Sequence, residues 1–257
     1  MNNQQQWIAF STIVRREIRR FMRIWPQTLV PPVITMALYF VIFGKLVGSR
    51  IGDMSSLPYI QFVAPGLIMM SVITNSYSNV VSSFFGSKFQ SNIEELLVSP
   101  TPNWIILVGY VVGGMARGLG VGFIVTMLSL YFADFSLNSL PVTIGIVLMT
   151  SLMFSLAGLI NAIFASSFDD ISIIPTFVLT PLIYLGGVFY SIEMLSGFWQ
   201  TLSMFNPILY MVNAFRYGMV GITDINIMAS FAMVGLFSTI LFFFALWLLE
   251  NGSRLRN

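Results

Sequence analysis

The sequence predicts an all-α integral membrane protein with six transmembrane helices. Only 9% of its 257 residues are charged and 56% are hydrophobic, and the hydrophobic residues form long blocks such as Leu140–Phe168, which carries no charge. A bilayer core of about 30 Å requires roughly 20 apolar residues in a helix, and a backbone in lipid must satisfy its own hydrogen bonds. Because these blocks lack a polar face at a 3.6-residue period, they are typical of membrane spans rather than of soluble helices.

The whole chain (1–257) is predicted to form one membrane domain, with the six spans inside residues 31–249 and a further helix over residues 5–25. An even number of spans places both termini on the same side of the membrane. In chain order, the predicted spans are Pro31–Val47, Ile60–Val81, Trp104–Phe132, Leu140–Phe164, Ile171–Tyr190 and Ile227–Leu249.

Basic residues predict which side the termini occupy. Eight of them fall on the side of the termini and three on the opposite side. Because Lys and Arg concentrate in short cytoplasmic flanks, both termini are expected in the cytoplasm. The eight are Arg15, Arg16, Arg19, Arg20, Arg23, Lys88, Arg254 and Arg256, and the three are Lys45, Arg50 and Arg216.

The helix over residues 5–25 is predicted to lie in the plane of the lipid headgroups as an interfacial amphipathic helix. On a helical wheel its five arginines share the polar part of the circumference, where they face phosphates or a cytoplasmic partner. The alternative is an ordinary positively charged anchor with no further role. The apolar residues on the other side are Trp7, Phe10, Val14, Ile18, Phe21 and Trp25.

The predicted cytoplasmic loop Gly86–Asn103 contains a short amphipathic helix, Asn92–Val98, which two prolines close. Asn92 is the predicted N-cap, because its side chain can accept a hydrogen bond from the first free N–H groups. Glu94 and Glu95 follow in the first turn, where the helix dipole favours anions.

The stretch Ser191–Asn226, on the predicted outer side, is apolar for a loop. Between Leu195 and Phe215 its apolar residues recur at helical spacing, and Asn206-Pro207 interrupts them because proline removes an N–H and disfavours helix at the residue before it. Such backbone is tolerated at membrane depth only where protein or a cavity surrounds it. We therefore predict two short re-entrant helices, and an exposed periplasmic loop is the disfavoured alternative.

Composition excludes several classes of active site. The chain has no Cys and no His, which removes thiol nucleophiles, the usual zinc ligands and imidazole relays. Its one Gly-Lys pair lacks the rest of a phosphate-binding loop. The adjacent acidic pairs Glu94/Glu95 and Asp169/Asp170 point about 100° apart on a helix and are expected to be solvated caps. We expect no catalysis by this chain and no site for a metal, a cofactor or nucleic acid.

Three motifs occur in order along the chain: FVAPGLI (Phe62–Ile68), SNIEELLVSPTP (Ser91–Pro102) and LGGVFYSIEML…LSMFNPILYMVNAFRYG (Leu185–Gly218). Together with the six spans, they resemble the membrane subunit of bacterial type-two ATP-binding-cassette exporters, a branch that includes drug, polysaccharide and lipid-linked exporters. The resemblance covers nearly the whole chain. It implies an inner-membrane permease that forms a homodimer and works with two copies of a separate cytoplasmic ATPase, which uses ATP and Mg.

The resemblance also implies two candidate sites. The short cytoplasmic helix is the implied coupling helix, seated in a groove of the ATPase, and the surroundings of Pro207 are the implied outer gate. The coupling residues are Glu94, Glu95, Leu96 and Leu97, and the gate residues are Phe198, Leu202, Asn206, Pro207 and Tyr210.

Arg117 is the one basic residue near the middle of a predicted span. Arginine at a helix centre costs about 2.5–3.5 kcal/mol on insertion scales, so an unpaired position facing lipid is unfavourable. Arg117 either faces the dimer cavity and binds an anionic group of the substrate, or bonds to carbonyls or to a polar side chain such as Asn75 or Asn161. The same span carries glycines at the i, i+4 spacing that lets helices approach closely: Gly109, Gly113, Gly114, Gly118 and Gly122.

Two other functions compete with an exporter permease. A secondary transporter or channel that works without ATP usually has ionisable residues near the membrane midplane and often has inverted repeats. Arg117 is the one clear residue of that kind, and inverted repeats are not evident. A membrane scaffold that does not transport is the other alternative, and the sequence does not indicate which substrate is exported.

Overall fold

A computed structural model describes residues 1–54, 57–135 and 137–251. Arg254 and Arg256, which contribute to the predicted topology, lie outside the described residues. In the described part, the regular structure is helical apart from two short strands, β1 (Asp53–Met54) and β2 (Leu57–Pro58), which pair antiparallel.

Two helices form the N-terminal part of the bundle. α1 (Asn3–Arg23) ends at Ile24, and α2 (Trp25–Ile51) begins directly after it and includes a π-helical segment, Ile42–Val47. The first span is therefore longer at both ends than the predicted Pro31–Val47. Its prolines fall in the first turns of helical segments, where the missing N–H has no helical partner in any case.

The central part contains four helices: α3 (Tyr59–Phe89), α4 (Asn92–Val98), α5 (Asn103–Ser129) and α6 (Leu140–Phe164). The bounds of α4 and α6 are those that the sequence predicts. α3 continues about two turns beyond the predicted second span, toward α4, and α5 ends slightly earlier than predicted.

The C-terminal part contains α7 (Asp170–Tyr184), a 3-10 turn (Ile192–Met194), α8 (Gly197–Met204), α9 (Pro207–Val220) and α10 (Ile227–Asn251). α8 and α9 are the two short helices predicted for this region, and the break between them falls at the predicted Asn-Pro pair. α9 extends beyond the predicted end of the second helix.

The helix predicted to be the fifth span ends earlier than predicted. The prediction is Ile171–Tyr190, whereas α7 ends at Tyr184. Gly187 lies just beyond that end with a φ of 69°, a left-handed conformation that glycine adopts without steric cost and that breaks a helix. At 1.5 Å per residue α7 is roughly 22 Å long, which is shorter than a bilayer core of about 30 Å.

In the described part of the chain, four helices are long and apolar enough to cross a membrane: α2, α5, α6 and α10. α3, at 31 residues, is longer than any of these, but serines and asparagines along it lower its mean hydropathy. α7 is apolar but short. The chain is therefore an all-α membrane protein, and a count of six spans requires α3 and α7 to cross as well.

α3 lies at the centre of the bundle. Most of its side chains are buried, and it packs against both α5 and α6. Glycines on those two helices allow the close approach: a Cβ added to Gly158 would lie 2.6 Å from the carbonyl oxygen of Tyr77, and Gly118 lies directly against the Ser76 side chain. Glycines of α5 thus pack helices together, as the sequence predicts.

The helix ends form two opposite faces. At one, Lys88 Nζ donates to the carbonyl oxygens of Ile163 and Ala165, at 2.7 Å each, which brings the ends of α3 and α6 together beside α4. At the other, the N–H of Ser139 donates to the carbonyl of Gly218, which brings the start of α6 to the end of α9. We call these the α4 face and the α9 face.

Candidate functional site

Helix α4 joins α3 to α5 on the α4 face. Its N-cap is Ser91, one residue before the predicted Asn92, because Ser91 adopts a φ of 59° and reverses the chain there. Asn92 is the first helical residue, and its side-chain amide donates to Gln90 Oε1 at 3.1 Å. Glu94 and Glu95 occupy the first turn, as predicted.

The apolar side of α4 is turned mainly toward this chain's own core. Ile93 is 1% exposed, whereas Val98 is 87% exposed. Leu96 and Leu97 are partly buried against the apolar cluster that contains Ile93. The two leucines therefore hold α4 in place to some extent, and Val98 is the apolar side chain of α4 that is most open to a partner.

An aromatic pair enlarges the exposed apolar surface of the α4 face. Phe89, at the end of α3, is 64% exposed and Phe168, after α6, is 57% exposed. Their ring centroids are 5.0 Å apart in an edge-on arrangement. The sequence does not predict this pair, because its members are far apart in the chain and only the fold brings them together.

A buried acidic residue, Glu17, joins α1 to the bundle. Its side chain is 1% exposed, with Oε1 3.3 Å from Arg16 Nη2 and Oε2 3.4 Å from Arg20 Nε. Ser83 of α3 donates its hydroxyl hydrogen to Glu17 Oε2. The hydroxyl oxygen of Tyr110, on α5, accepts from Arg16 Nη2 at 2.6 Å. Three helices thus share one ion network at the α4 face.

Besides its apolar side and its arginine-rich side, α1 has a third side that packs against the bundle and that the helical wheel does not predict. Ile13 and Glu17 pack onto α5 where glycines leave room, and a Cβ added to Gly113 would lie 2.5 Å from Glu17 Cβ. Trp7, on the predicted lipid side, is 67% exposed. In the sequence, Glu17 is the single acidic residue among five arginines and lies three residues before Arg20, a spacing that allows an ion pair on a helix. That position is the feature from which a role for Glu17 could be predicted.

Arg117 lies in the middle of α5 and is partly exposed. Its Nη2 donates to the carbonyl oxygen of Thr28 (3.3 Å) and to Asn75 Oδ1 (3.2 Å). Both contacts are of the kind that the structural interpretation predicts, and the other candidate partner, Asn161, donates to the carbonyl of Ile171 instead. Within the described ranges the acceptors around Arg117 are neutral, so its charge has no acidic partner there.

Asp170 caps the turn before α7 on the α4 face. Its Oδ2 accepts from the N–H groups of Ser166 (2.9 Å) and Ser167 (3.0 Å). The hydrogen bond from the Ser166 N–H, followed by that from the Ser167 hydroxyl, holds the pKa of Asp170 below its ordinary value. A cap is the role expected of this acidic pair, and the residues that the structure covers include no group of three acidic side chains placed to hold a metal ion.

Asn206 ties the two short helices α8 and α9 to the bundle on the α9 face. It is 3% exposed, its Oδ1 accepts from the N–H of Ile208 at 3.0 Å, and its Nδ2 donates to the carbonyl oxygen of Leu182 at 2.6 Å. Pro207 takes the first position of α9, where it needs no N–H donor. One side chain thus caps α9 and attaches it to α7.

The predicted gate residues fall into two groups. Asn206 and Pro207 belong to the part anchored at α7, and Tyr210 joins α9 to the end of α8, since its hydroxyl donates to the carbonyl oxygen of Met204 at 2.8 Å. Phe198 and Leu202, on α8, are 72% and 43% exposed. α8 therefore presents an apolar surface outward, whereas α9 is buried along most of its length.

Arg216 is buried, contrary to the prediction that it is a charge of the outer flank. It is 1% exposed and lies in α9, because that helix continues to Val220. Its Nε donates to the carbonyl oxygen of Phe62 (3.1 Å), and its Nη2 donates to that of Gly187 (2.6 Å). The guanidinium carbon lies 3.9 Å from the centre of the Phe62 ring. Arg216 is therefore a structural contact and does not belong in a count of flanking charges.

The three sequence motifs mark the two ends of α3. At the end on the α9 face, Gly66 of FVAPGLI leaves no room for a side chain, since an added Cβ would lie 2.8 Å from the carbonyl oxygen of Val188 in LGGVFY. Arg216, in FRYG, contacts Phe62 at the same place. The second motif forms α4, at the other end of α3.

Comparisons with known proteins identify the family that this chain matches. Residues 8–220 match the profile of the ABC-2 type transporter. The chain is 58% identical, over 252 residues that cover 98% of each chain, to the inner membrane transport permease YadH of Escherichia coli strain K12. It is also 21% identical over 246 residues to nodulation protein J of Neorhizobium galegae, covering 95% and 93% of the two chains. A nodulation protein J of Rhizobium leguminosarum bv. viciae is 26% identical over 198 residues, covering 75% and 73%.

Proposed function

This chain belongs to the ABC-2 type transporter family and is a membrane permease subunit of an ATP-binding-cassette exporter, and we propose that it forms the substrate pathway as a homodimer. As an inner-membrane permease of this family it associates with an ATP-binding subunit and is a transporter component rather than an enzyme. In our proposal two copies of that ATPase bind to the α4 faces of the dimer. ATP and Mg are bound by the ATPase, because this chain has no phosphate-binding loop.

The observation that carries the proposal is the surface of α4. α4 is a short helix between two long ones. Its Val98 side chain is 87% exposed, and Glu95 on the same helix is exposed as well. An apolar side chain with a charged rim is the arrangement expected of a docking element, in which the apolar contact provides affinity and the charges govern specificity and association rate. We propose that Glu94, Glu95, Leu96 and Leu97 act with Val98 as the coupling surface, the leucines mainly by seating α4.

We propose six spans with both termini in the cytoplasm. α3 is long enough to cross, and α7 can cross where the bilayer thins locally or where the flanking turn completes its length. The arginines of α1 and the ends of α3 and α6 lie on the α4 face, which supports a cytoplasmic position for it. Lys45 and Arg50, at the far end of α2, are the exposed basic residues on the opposite side among those described.

We propose that α8 and α9 close the outer end of the pathway near the dimer axis. The support is the contrast between the two helices: α9 is anchored in the bundle, whereas α8 exposes Phe198, Leu202 and neighbouring apolar side chains. Large exposed apolar patches mark interaction sites in protein or lipid surroundings. Asn206 and Pro207 set the angle between the helices, and Tyr210 fixes the connection to α8.

Val98→Asp is expected to release the ATPase. A carboxylate at the centre of the docking surface has to be desolvated against an apolar groove, and loss of such an anchor weakens binding by about 2 kcal/mol or more, roughly thirtyfold. The measurement is co-purification of the cognate ATPase with the tagged chain from detergent-solubilised membranes. Ser49→Asp, at an exposed residue near the far end of α2, is the matched control. Wild-type recovery of the ATPase with the Val98 variant would show that α4 is not the docking element.

Arg117→Gln is expected to abolish stimulation of the ATPase by substrate while the complex still assembles. The reason is that Arg117 is partly exposed and carries a charge that only neutral acceptors surround in the described structure, which suits an anionic group of the substrate. Arg117→Lys keeps the charge without the planar fork and should retain part of the stimulation. If the Gln variant instead fails to assemble, Arg117 is a structural residue that holds α2 and α3 to α5.

A further inference from the structure

The outer ends of α3, α7 and α9 meet around one buried cation, Arg216. A buried guanidinium is costly unless its donors are satisfied, and it usually has an acidic partner. Among the described residues no carboxylate lies within ion-pair distance of Arg216, and its bonds run to the main chain of two other segments, at Phe62 and Gly187. The face of the Phe62 ring supplies a further attraction. The bonds of Arg216 therefore join three parts of the chain.

The segment that Arg216 holds at Gly187 is fixed at further points along residues 187–192. The Tyr59 hydroxyl donates to the carbonyl oxygen of Phe189 at 3.0 Å. Asp224 Oδ2 accepts from Ser191 Oγ at 2.9 Å and from the N–H of Ile192 at 3.3 Å. We call this segment the outer turn.

The outer turn also packs tightly against α3. Val188 is fully buried, and its backbone lies against Gly66, where even a methyl group would be too close. Pro65 precedes Gly66 inside α3. Because Pro65 has no N–H, the carbonyl of Gln61, four residues earlier, loses its helical donor. The carbonyl of Phe62 has two lone pairs and can accept the bond from the guanidinium in addition to a helical one.

α3 connects this place to the coupling helix without a break. It runs from Tyr59 to Phe89, about 46 Å at 1.5 Å per residue, and α4 begins at Asn92. A buried helix packed along both sides moves as a unit, because close-packed interiors transmit displacement rather than absorb it. A displacement of α4 is therefore transmitted to the outer end of α3.

We propose that Arg216 is a positioning residue that fastens the outer turn and the re-entrant helix α9 to the end of α3, so that the movement of α4 reaches the outer gate. The proposal rests on the proposed function, in which an ATPase moves α4. Arg216 does not touch substrate. Its role is to hold α3, the outer turn and α9 together so that they move as one rigid unit.

The test uses two cysteine reporters in a chain that has no native cysteine. Val188→Cys reports whether the outer turn is closed on α3, and Phe198→Cys reports the position of α8. Both are labelled with a membrane-impermeant maleimide in the assembled complex with its ATPase, with and without ATP and vanadate. Arg216→Gln removes both the charge and the planar guanidinium, whereas Arg216→Lys keeps the charge. Arg50→Gln, at an exposed basic residue, is the matched control.

We expect labelling of the Val188→Cys reporter to be slow when Arg216 is present and about tenfold or more faster with Arg216→Gln, because hydrogen bonds from a charged donor are lost. Arg216→Lys should fall between the two, and Arg50→Gln should match the reporter chain with Arg216 intact. The nucleotide-dependent change at the Phe198→Cys reporter should disappear in the Gln variant while the ATPase still co-purifies. A residue needed only for folding would instead lower recovery of the complex and leave the surviving molecules gated normally.

Unchanged labelling of the Val188→Cys reporter in both Arg216 variants, with gating retained, would overturn the proposal. If the Gln variant does not assemble, Arg216→Lys and Tyr59→Phe decide, since the first keeps the charge but loses the two-point guanidinium contact and the second removes only the bond to the carbonyl of Phe189. If the Phe198→Cys reporter does not respond to nucleotide when Arg216 is present, the proposed gate is wrong, but the Val188→Cys reporter still decides whether Arg216 fastens the outer turn.

Discussion

Glu17→Ala is expected to lower the free energy of unfolding by about 3 kcal/mol. Removing one partner of a buried ion network costs about 3–5 kcal/mol, and the lower end applies because Arg16 and Arg20 are partly exposed, at 43% and 33% of their side chains. The change also leaves Ser83 without its acceptor and opens space above Gly113. The measurement is thermal unfolding of the purified chain in detergent.

Two further variants separate charge from shape at this position. Glu17→Gln keeps the shape and a hydrogen-bond acceptor for Ser83 but removes the charge, so it should cost clearly less than the alanine variant. Glu193→Gln, at an exposed acid near the other face, should leave unfolding unchanged. Equal, small effects of Glu17→Ala and Glu193→Gln would mean that α1 is not held by this network.

Asn206→Ala is expected to lower the free energy of unfolding by about 2–3 kcal/mol and to loosen the re-entrant pair. The variant loses an N-cap, which contributes about 1 kcal/mol, and leaves the buried carbonyl of Leu182 without its donor, which costs about 1–3 kcal/mol. Asn206→Ser keeps a cap oxygen and loses the amide donor without adding a charge. It therefore tests the bond to Leu182 by itself. The measurement is thermal unfolding, read together with maleimide labelling of a Tyr210→Cys reporter.

The ordering of the variants at Asn206 is the informative result. If the cap and the bond to α7 both hold α9, the alanine variant is the least stable and labels fastest. If the serine variant equals the wild type in both measurements, the bond to Leu182 contributes nothing, and α9 is held by its cap and by burial of its apolar side chains.

The sequence predicted the elements whose ends carry local signals. α6 begins after Ser139 with proline in its first turn, and α4 is followed by two prolines, so these bounds could be predicted from adjacent residues, although the cap of α4 is Ser91 and not the predicted Asn92. The end of α7 could not, because the apolar run continues past Tyr184 and hydropathy does not show that Gly187 turns the chain.

The contacts of the candidate sites depended on residues far apart in the sequence. Glu17 is paired with neighbours in its own helix but is buried by Ser83 and by the glycines of α5, which no periodicity of α1 reveals. Arg216 was predicted to be a flanking charge, because the sequence gives no sign that the carbonyl of Phe62 lies above it. The sequence does not distinguish Val98 from Leu96 and Leu97 as a docking residue, since only the fold shows which side of α4 is already occupied.

An ATPase bound at the α4 face is proposed to move the gate on the α9 face. The most direct measurement of this coupling is the labelling rate of Phe198→Cys by a membrane-impermeant maleimide, in proteoliposomes that contain the permease with its ATPase. We expect the rate to differ at least about fivefold between the nucleotide-free and vanadate-trapped states, the lower end of common coupling energies, and the difference to vanish with Val98→Asp. Identical rates in the two states, while the ATPase remains bound and hydrolyses ATP, would contradict this coupling.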